Sequence, residues 1–589
     1  MNSNTPRPDV VVAVDFGMTC TGVAYANLSI GSKTVRWIQR WPGRSQANEN
    51  KVPTLLVYPR DRPQPSSWGF LSENISEMTA QDKDYKEWFK VWLDEEKLWK
   101  AQAKAPEFAA KSIEEVEKWY TDYLRCLNQH IEAKLSSEVA RKRWEDAIVE
   151  FHFSVPTTWQ PATVERFRSI TSLAGFGKYP SHTTTIGLTE AEAAAVHTSQ
   201  EASGIFSEGD VVLVCDVGGG TTDLSVLRVT DVTSGCLSLR QLDVVFGSTV
   251  GSTFIDAQFE KEAEARLKMA NQTGPLNIDI EETAWEMMKS KEFQNAKCDY
   301  GSADDAEVFS IPIPKLSYAY SNGLVGIFNG EMQFKIVELQ ALFDPQQIKK
   351  LFQLIDTQIQ RMQQKDPSER IAHMVLSGGL GNSLYVQRKL RERYAAGDGS
   401  PHLNTARQMQ VRVAPDPQLA VCKGLVADRI AKLSSGKSIL GWRCCRASYG
   451  TKCKVLYNPE NPQHHNRQTV RDALDDKLYL HDTVEWFIKK GDPVSIDRPI
   501  IHNFRRKVPP GDPTRIFPTD VIASNVAKEI LPFQIDPSIF KLKNRHFWNN
   551  GPKYYRVEFS IRVVLGPGTK TLAILTGNTD KVFYSGHSV

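Results

Sequence analysis

The sequence has no uninterrupted apolar run near the ~18 residues that a membrane-crossing helix needs, so none is expected. Net charge is scarce. Lys and Arg number 72 and Asp and Glu 69, leaving +3, too little for a nucleic-acid wrapper or a polybasic membrane binder. Cysteine is sparse: nine residues, an odd number, without a dense framework. That points to reduced thiols in the cytoplasm over a secreted disulfide scaffold. No signal peptide is expected, because the apolar run Val10–Val14 is short and Asp15 ends it. Common enzymatic signatures are missing too. There is no Walker G-x-x-x-x-G-K-[ST], no Rossmann G-x-G-x-x-G after a strand, no H-E-x-x-H and no G-x-S-x-G. What is there suits a folded chain: 589 residues, 41% apolar and 24% charged. At ~150 residues per domain this allows about four structural units.

One pattern occurs twice. Val10–Val14 is a continuous β-branched and small apolar run, followed by Asp15, Phe16, Gly17, Met18, Thr19 and a second apolar run. The run Val211–Cys215 is followed by Asp216, Val217, Gly218, Gly219, Gly220, Thr221, Thr222 and another apolar run. Each copy reads as a buried strand, a glycine turn and a returning strand. The matching order predicts an internal duplication at domain scale. Between the copies, Ser112–Glu115 has capping-box spacing. Val116, Tyr120, Tyr123, Leu124, Leu127 and Ile131 then recur at helical period. A second helix is expected to begin at Asp344–Pro345, and Ile371–Ser377 reads as a strand closed by Gly378 and Gly379. After residue 440, Gly, Pro, Asn and Asp punctuate short alternating runs such as Tyr555 to Val563, with a turn at Gly566–Pro567–Gly568. Residues 441–589 therefore read as a smaller β-rich module.

The chemistry concentrates in the two turns. Gly218, Gly219 and Gly220 let backbone amides approach an anion without a side chain between. Thr221 and Thr222 add hydroxyls. Asp15 and Asp216 would face the same cleft, and two carboxylates beside a polyphosphate call for a divalent cation held through its waters. A nucleotide with Mg²⁺ accounts for glycines and carboxylates together. The plain alternative is a pair of tight hairpins with capping aspartates. Cys444, Cys445, Cys453, His464 and His465 are a weak zinc candidate, since no C-x-x-C pair occurs.

The two Asp-x-Gly hairpins, with Met374–Gly379, resemble the actin-like ATPase superfamily. The closest likeness is to the 70-kilodalton heat-shock chaperones, in particular their divergent branch without the standard peptide-binding domain. The resemblance spans roughly residues 10–430. It implies an α/β fold of two duplicated lobes, 1–200 and 201–440, around a nucleotide cleft, with 441–589 as a module of unassigned role. It implies that Asp15, Gly17, Met18 and Thr19 form the first phosphate loop, and Asp216, Gly218, Gly219, Gly220 and Thr221 the second. Glu190 falls in the first connecting segment, and Pro417–Gly424 in the second. Pro156 takes the place of the hinge proline, and Lys90 that of the catalytic lysine. By residue type alone, Lys90 reads as a surface lysine. Gly251, Gly378 and Gly379 match nucleotide-side turns, and Gln294 and Lys297 fall on the helix that sandwiches the base. By the same resemblance Lys90, Glu190 and Asp216 act in catalysis, and Asp15, Asp216 and Glu190 hold Mg²⁺ through water.

This chain departs from that pattern at Met18 (usually Thr), Gln294 (Glu), Cys298 and Gly301 (Arg and Ser), Asn382 (Arg) and Gln418 (Asp). Most departures fall on the adenosine side. The expected activity is an ATP-binding, slowly ATP-hydrolysing, chaperone-like switch. The alternatives are a nucleotide-sensing scaffold and a small-molecule kinase. The expected partners are ATP or ADP and protein clients of the C-terminal module, with no nucleic acid and no membrane span.

Overall fold

The computed structural model describes residues 7–72, 83–106, 109–201, 204–232, 238–302, 307–395, 409–495, 498, 500–509, 516–523, 526–534, 541–543, 553–565, 570–576 and 582–587. The chain divides into two compact units. The first is Met1–Trp159, Arg166–Arg240 and Val245–Leu440; the second is Gly441–Val589 with the short stretches Gln160–Glu165 and Gln241–Val244.

The first unit is mixed α/β and carries two main sheets. In one, β1 (Val10–Asp15) and β2 (Cys20–Asn27) form an antiparallel hairpin with Asp15 opposite Gly22. Beyond β1 lie β3 (Val149–Val155) and β4 (His182–Thr189), both parallel to it. In the other, β5 (Val211–Val217) and β6 (Thr222–Asp231) form the hairpin, with Asp216 opposite Asp223. Beyond β5 lie β7 (Ile371–Ser377) and β8 (Gln410–Val413), again parallel. The order β2-β1-β3-β4 and the order β6-β5-β7-β8 match strand for strand in direction. Every residue of β1 and β5 is buried. Strands covered on both faces explain why both segments read as unbroken apolar runs and not as alternation.

Helix α1 (Ile113–Leu135) starts where its cap signal lies. Ser112 Oγ accepts from the Glu115 amide. The reciprocal bond of the box goes one residue further back, to the Lys111 amide, which donates to Glu115 Oε2 at 2.7 Å. Helix α2 (Glu190–Glu201) follows β4 directly. Thr189 and Glu192 close a reciprocal cap around its start: the Thr189 amide donates to Glu192 Oε2 at 2.8 Å and the Glu192 amide to Thr189 Oγ1. Helices α3 (Thr253–Thr273) and α4 (Lys291–Asp299) come after the second hairpin.

The helix expected to start at Asp344–Pro345 does not start there. Helical backbone is already present at Ile336–Phe343 and passes through a π-turn, Asp344–Ile348, into α5 (Lys349–Lys365). Proline has no N–H to donate to the preceding turn, and a wider turn absorbs the gap without ending the helix. The last helix of the unit, α6 (Ala420–Ser435), packs on β1, β2 and β3, while α2 packs on β5 and β6. The two helices cross at Gly424, where an added Cβ would collide with the Ala193 carbonyl oxygen. This near-backbone contact joins the two sheets.

In the second unit the described residues after 440 form antiparallel strands and one short 3₁₀ turn, with no α-helix among them. Tyr449–Leu456, Leu478–Ile488, Ile516–Ala523 and Val526–Gln534 belong to one five-stranded sheet. Ile500–Val508, Tyr554–Leu565, Lys570–Thr576 and Val582–His587 belong to another. The turn expected at Gly566–Pro567–Gly568 lies outside the described residues. No helix among the described residues is long and apolar enough to cross a membrane.

Candidate functional site

The turns of the two hairpins face each other in the first unit. A Cβ on Gly219 would stand 2.8 Å from the Thr19 side chain, and one on Gly220 would stand 2.8 Å from Met18 Cγ. Any side chain at either position would push the loops apart, which accounts for glycine there. The second loop is braced from behind by the start of α3. The Thr253 amide and hydroxyl both donate to the Gly219 carbonyl at 2.9 Å, and the Ser252 amide donates to that of Gly218. Gly251 belongs to this brace: its amide donates to the buried Gln347 Oε1 at 3.1 Å. At the end of β7, Gly378 takes φ +81°, and a Cβ there would collide with the Val217 carbonyl.

Between the loops lies a cleft of about 180 Å³, smaller than the ~300–1,000 Å³ of ordinary small-molecule pockets. Asp15, Gly17, Met18, Thr19, Lys90, Glu190, Asp216, Gly218, Gly219, Gly220, Thr221, Gly378 and Gly379 all line it, as do Pro156, Pro417 and Gln418. Gly251, Gln294 and Lys297 do not. Gln294 Nε2 donates to the Met288 carbonyl at 2.8 Å, and Lys297 Nζ pairs with Asp256 Oδ1 at 2.6 Å. The expected base-sandwiching pair is thus engaged with the preceding helix, Ile280–Lys289, and with α3. Gly301, another departure, packs against Tyr385, whose amide nitrogen would lie 2.5 Å from an added Cβ.

Lys90 is not a surface lysine. It is buried on the 3₁₀ turn Phe89–Leu93, and its Nζ lies 2.5 Å from Glu190 Oε1. Its carbonyl accepts from Tyr120 Oη at 2.6 Å, and Phe16, Phe89 and Tyr120 cluster around it. Glu190 owes its place to the cap of α2, which makes it the first helical residue.

Three charged residues that the sequence pattern left unmarked complete the cleft region. Lys51 Nζ lies 2.7 Å from Asp15 Oδ2. Lys97, in the first turn of the short helix Glu95–Lys104, reaches the Thr158 hydroxyl at 3.4 Å. Asp223 stands opposite Asp216 on β6 and accepts from the amide and hydroxyl of Thr157. An acidic residue inside the buried run of β6 was a readable signal; nothing local marked the lysines.

The carboxylates are crowded. Burial pushes Asp216 up to about 6, opposed by the Ser377 hydroxyl bond and reinforced by Asp15 and Asp223. Burial likewise pushes Glu190 up to about 8; Lys90 opposes this, and Asp223, Asp15 and Asp216 add to it. Asp223 is raised by burial too, and burial lowers Lys97. Among the described residues no three His, Cys, Asp or Glu side chains converge closely enough to hold a metal ion directly.

A family model described as a domain of unknown function (DUF8568) matches residues 443–546, within the second unit and outside the cleft. No curated protein matches the chain.

Proposed function

We propose that the cleft binds the phosphates of ATP or ADP and that the chain is a slow, chaperone-like ATPase switch. On this reading the two matching sheets are the lobes of an actin-like ATPase fold, resembling the 70-kilodalton heat-shock chaperones. The observation that carries the proposal is the facing pair of turns. Gly218–Thr221 and Gly17–Thr19 bring backbone amides and hydroxyls to one narrow space together with Asp15, Asp216, Glu190 and three lysines. Amide-lined turns of this kind bind anions, and the lysines add positive charge.

Mg²⁺ fits the same residues. Asp216 and Glu190 are held above the usual carboxylate range by burial and by neighbouring carboxylates, so the empty cleft disfavours their negative charge, which a hydrated cation would favour. Bound ATP would supply the phosphoanhydride bond, with Mg²⁺ offsetting its charge. The chain's own residues orient and move protons. With a cation offsetting its charge, Glu190 would ionise, accept a hydrogen bond from a water and align it, while Lys90, 2.5 Å away, would fix the carboxylate. Asp216, anchored by Ser377, orients water from the other wall. The α2–α6 crossing at Gly424 is the element through which closure of the lobes would be felt.

One observation favours a binding module without useful turnover. Lys90, to which the resemblance assigns catalysis, is already committed to Glu190 at 2.5 Å. Calorimetry of ATP with Mg²⁺ on wild type and Asp216→Asn, with phosphate release followed on the same samples, separates the readings. Weaker binding in the variant and release by the wild type support the ATPase. Binding without release supports the scaffold. No binding removes the nucleotide assignment.

A further inference from the structure

The sequence pattern gives Lys51 no mark, yet it is built into the cleft. Its backbone is fixed by a two-residue ladder in which Val52 pairs with Thr21 and Pro53 with Cys20. The Thr54 amide donates to the Thr19 carbonyl at 2.8 Å, and the Thr21 and Thr54 hydroxyls share a 2.9 Å bond. The lysine stem lies over Gly22, where an added Cβ would stand 3.2 Å from Lys51 Cε. The ammonium reaches Asp15 Oδ2 at 2.7 Å and shares the cleft with both glycine turns, Lys90, Glu190 and Asp216.

The second hairpin differs. Asp216 has the Ser377 hydroxyl as its partner and no lysine within ion-pair distance among the described residues. The first hairpin therefore carries an internal cation at the place where a hydrated divalent ion would otherwise offset the charge of the carboxylate and the phosphates. We propose that Lys51 is a phosphate-positioning residue that supplies this charge from within the chain, so that adenine nucleotide is retained with little dependence on Mg²⁺. The proposal rests on the nucleotide reading above. An ammonium has three donors, so an incoming phosphoryl oxygen can take one while Asp15 keeps another. Mg²⁺ is then needed where Asp216 and Glu190 orient water, for hydrolysis and not for retention.

The test is calorimetry of ADP and of ATP with the full chain, in excess Mg²⁺ and in excess chelator. Wild-type affinities in the two buffers are expected to agree within about threefold. Lys51→Met is expected to lose about tenfold or more in chelator, the worth of one hydrogen bond between charged groups, and to recover most of it in Mg²⁺. Lys51→Arg keeps the charge and is expected to remain tolerant of chelator. Wild-type binding that collapses in chelator overturns the proposal and leaves the nucleotide reading standing. So does an equal loss for Lys51→Met in both buffers, which would make the pair merely structural. No heat from wild type in either buffer overturns both. Should Lys51→Met fail to fold, the wild-type comparison still decides, and Lys51→Met with Asp15→Asn removes both buried charges at once.

Discussion

The two hairpins of the first unit share a backbone plan and differ in what they set beside their aspartates. Asp15 meets Lys51, delivered by a short edge strand. Asp216 meets Ser377, directly opposite it on the neighbouring parallel strand, whose hydroxyl donates to Asp216 Oδ1 at 2.7 Å. The first sheet has a serine at the corresponding place: Ser154 follows Phe153, which pairs with Val14. Its buried hydroxyl has no hydrogen-bond partner among the described residues. A repeated frame thus fixes where a carboxylate stands, while the irregular connections decide its electrostatics. One aspartate is half of an ion pair. The other is a buried acid held back from ionising.

The comparison breaks most visibly at Asp15. Asp15→Asn leaves the Lys51 ammonium largely buried with no charged partner, and losing one half of a buried pair costs about 3–5 kcal/mol. Thermal unfolding of the full chain at neutral pH is expected to show that loss. A variant of wild-type stability would mean that the ion pair adds nothing net and that the two hairpins are electrostatically equivalent.

Asp216→Asn is expected to act with the opposite sign. A folded-state value of about 6 against ~3.8 for a free aspartate means that the native state binds the extra proton. That contribution is fully present below pH ~4 and is lost as pH rises through about 6. Above that range the ionised Asp216 destabilises the empty cleft by on the order of 3 kcal/mol. The carbonyl oxygen of the introduced amide can still accept from Ser377 without the charge. The substitution should therefore raise stability near pH 8, leave it little changed below pH ~4, and at the same time weaken binding of ATP with Mg²⁺. Unfolding midpoints measured against pH for the two proteins check this. A variant that is less stable at every pH would remove the idea of a strained acid.

These differences also mark how far the sequence could be read. Val10–Val14 and Val211–Cys215 were legible because strands covered on both faces must be apolar throughout. The facing turns were legible because close backbone approach demands glycine at Gly219 and Gly220. Helix α1 was legible from its period and cap. The π-turn was not, since Asp344–Pro345 is also the ordinary start signal of a helix and the local pattern does not reveal that helical backbone precedes it. Lys51 was not legible, because the ladder that delivers it joins two residues to two. The Lys90–Glu190 pair spans a hundred positions in sequence, and only the resemblance singled out its members. Gln294 and Lys297 were named from that resemblance alone; Lys297 pairs with Asp256 and Gln294 bonds the Met288 carbonyl, contacts that no local pattern announced.

The smallest effects sharpen the comparison furthest, because they compare one residue type at two matching positions. Ser377→Ala strips a hydrogen bond from the Asp216 carboxylate. At pH 8, where Asp216 is ionised, this is expected to cost about 1–3 kcal/mol, and less in acid, where the acceptor is neutral. Ser154→Ala removes a buried hydroxyl without a partner among the described residues. It is expected to be neutral, or to stabilise by up to ~1 kcal/mol, because the alanine no longer carries an undischarged desolvation cost. Parallel unfolding curves of the two alanine variants give the difference directly. Equal losses would mean that Ser154 serves Asp15 as Ser377 serves Asp216. Lys51 would then be an addition to a symmetric pair of acids and not the substitute that sets the first hairpin apart.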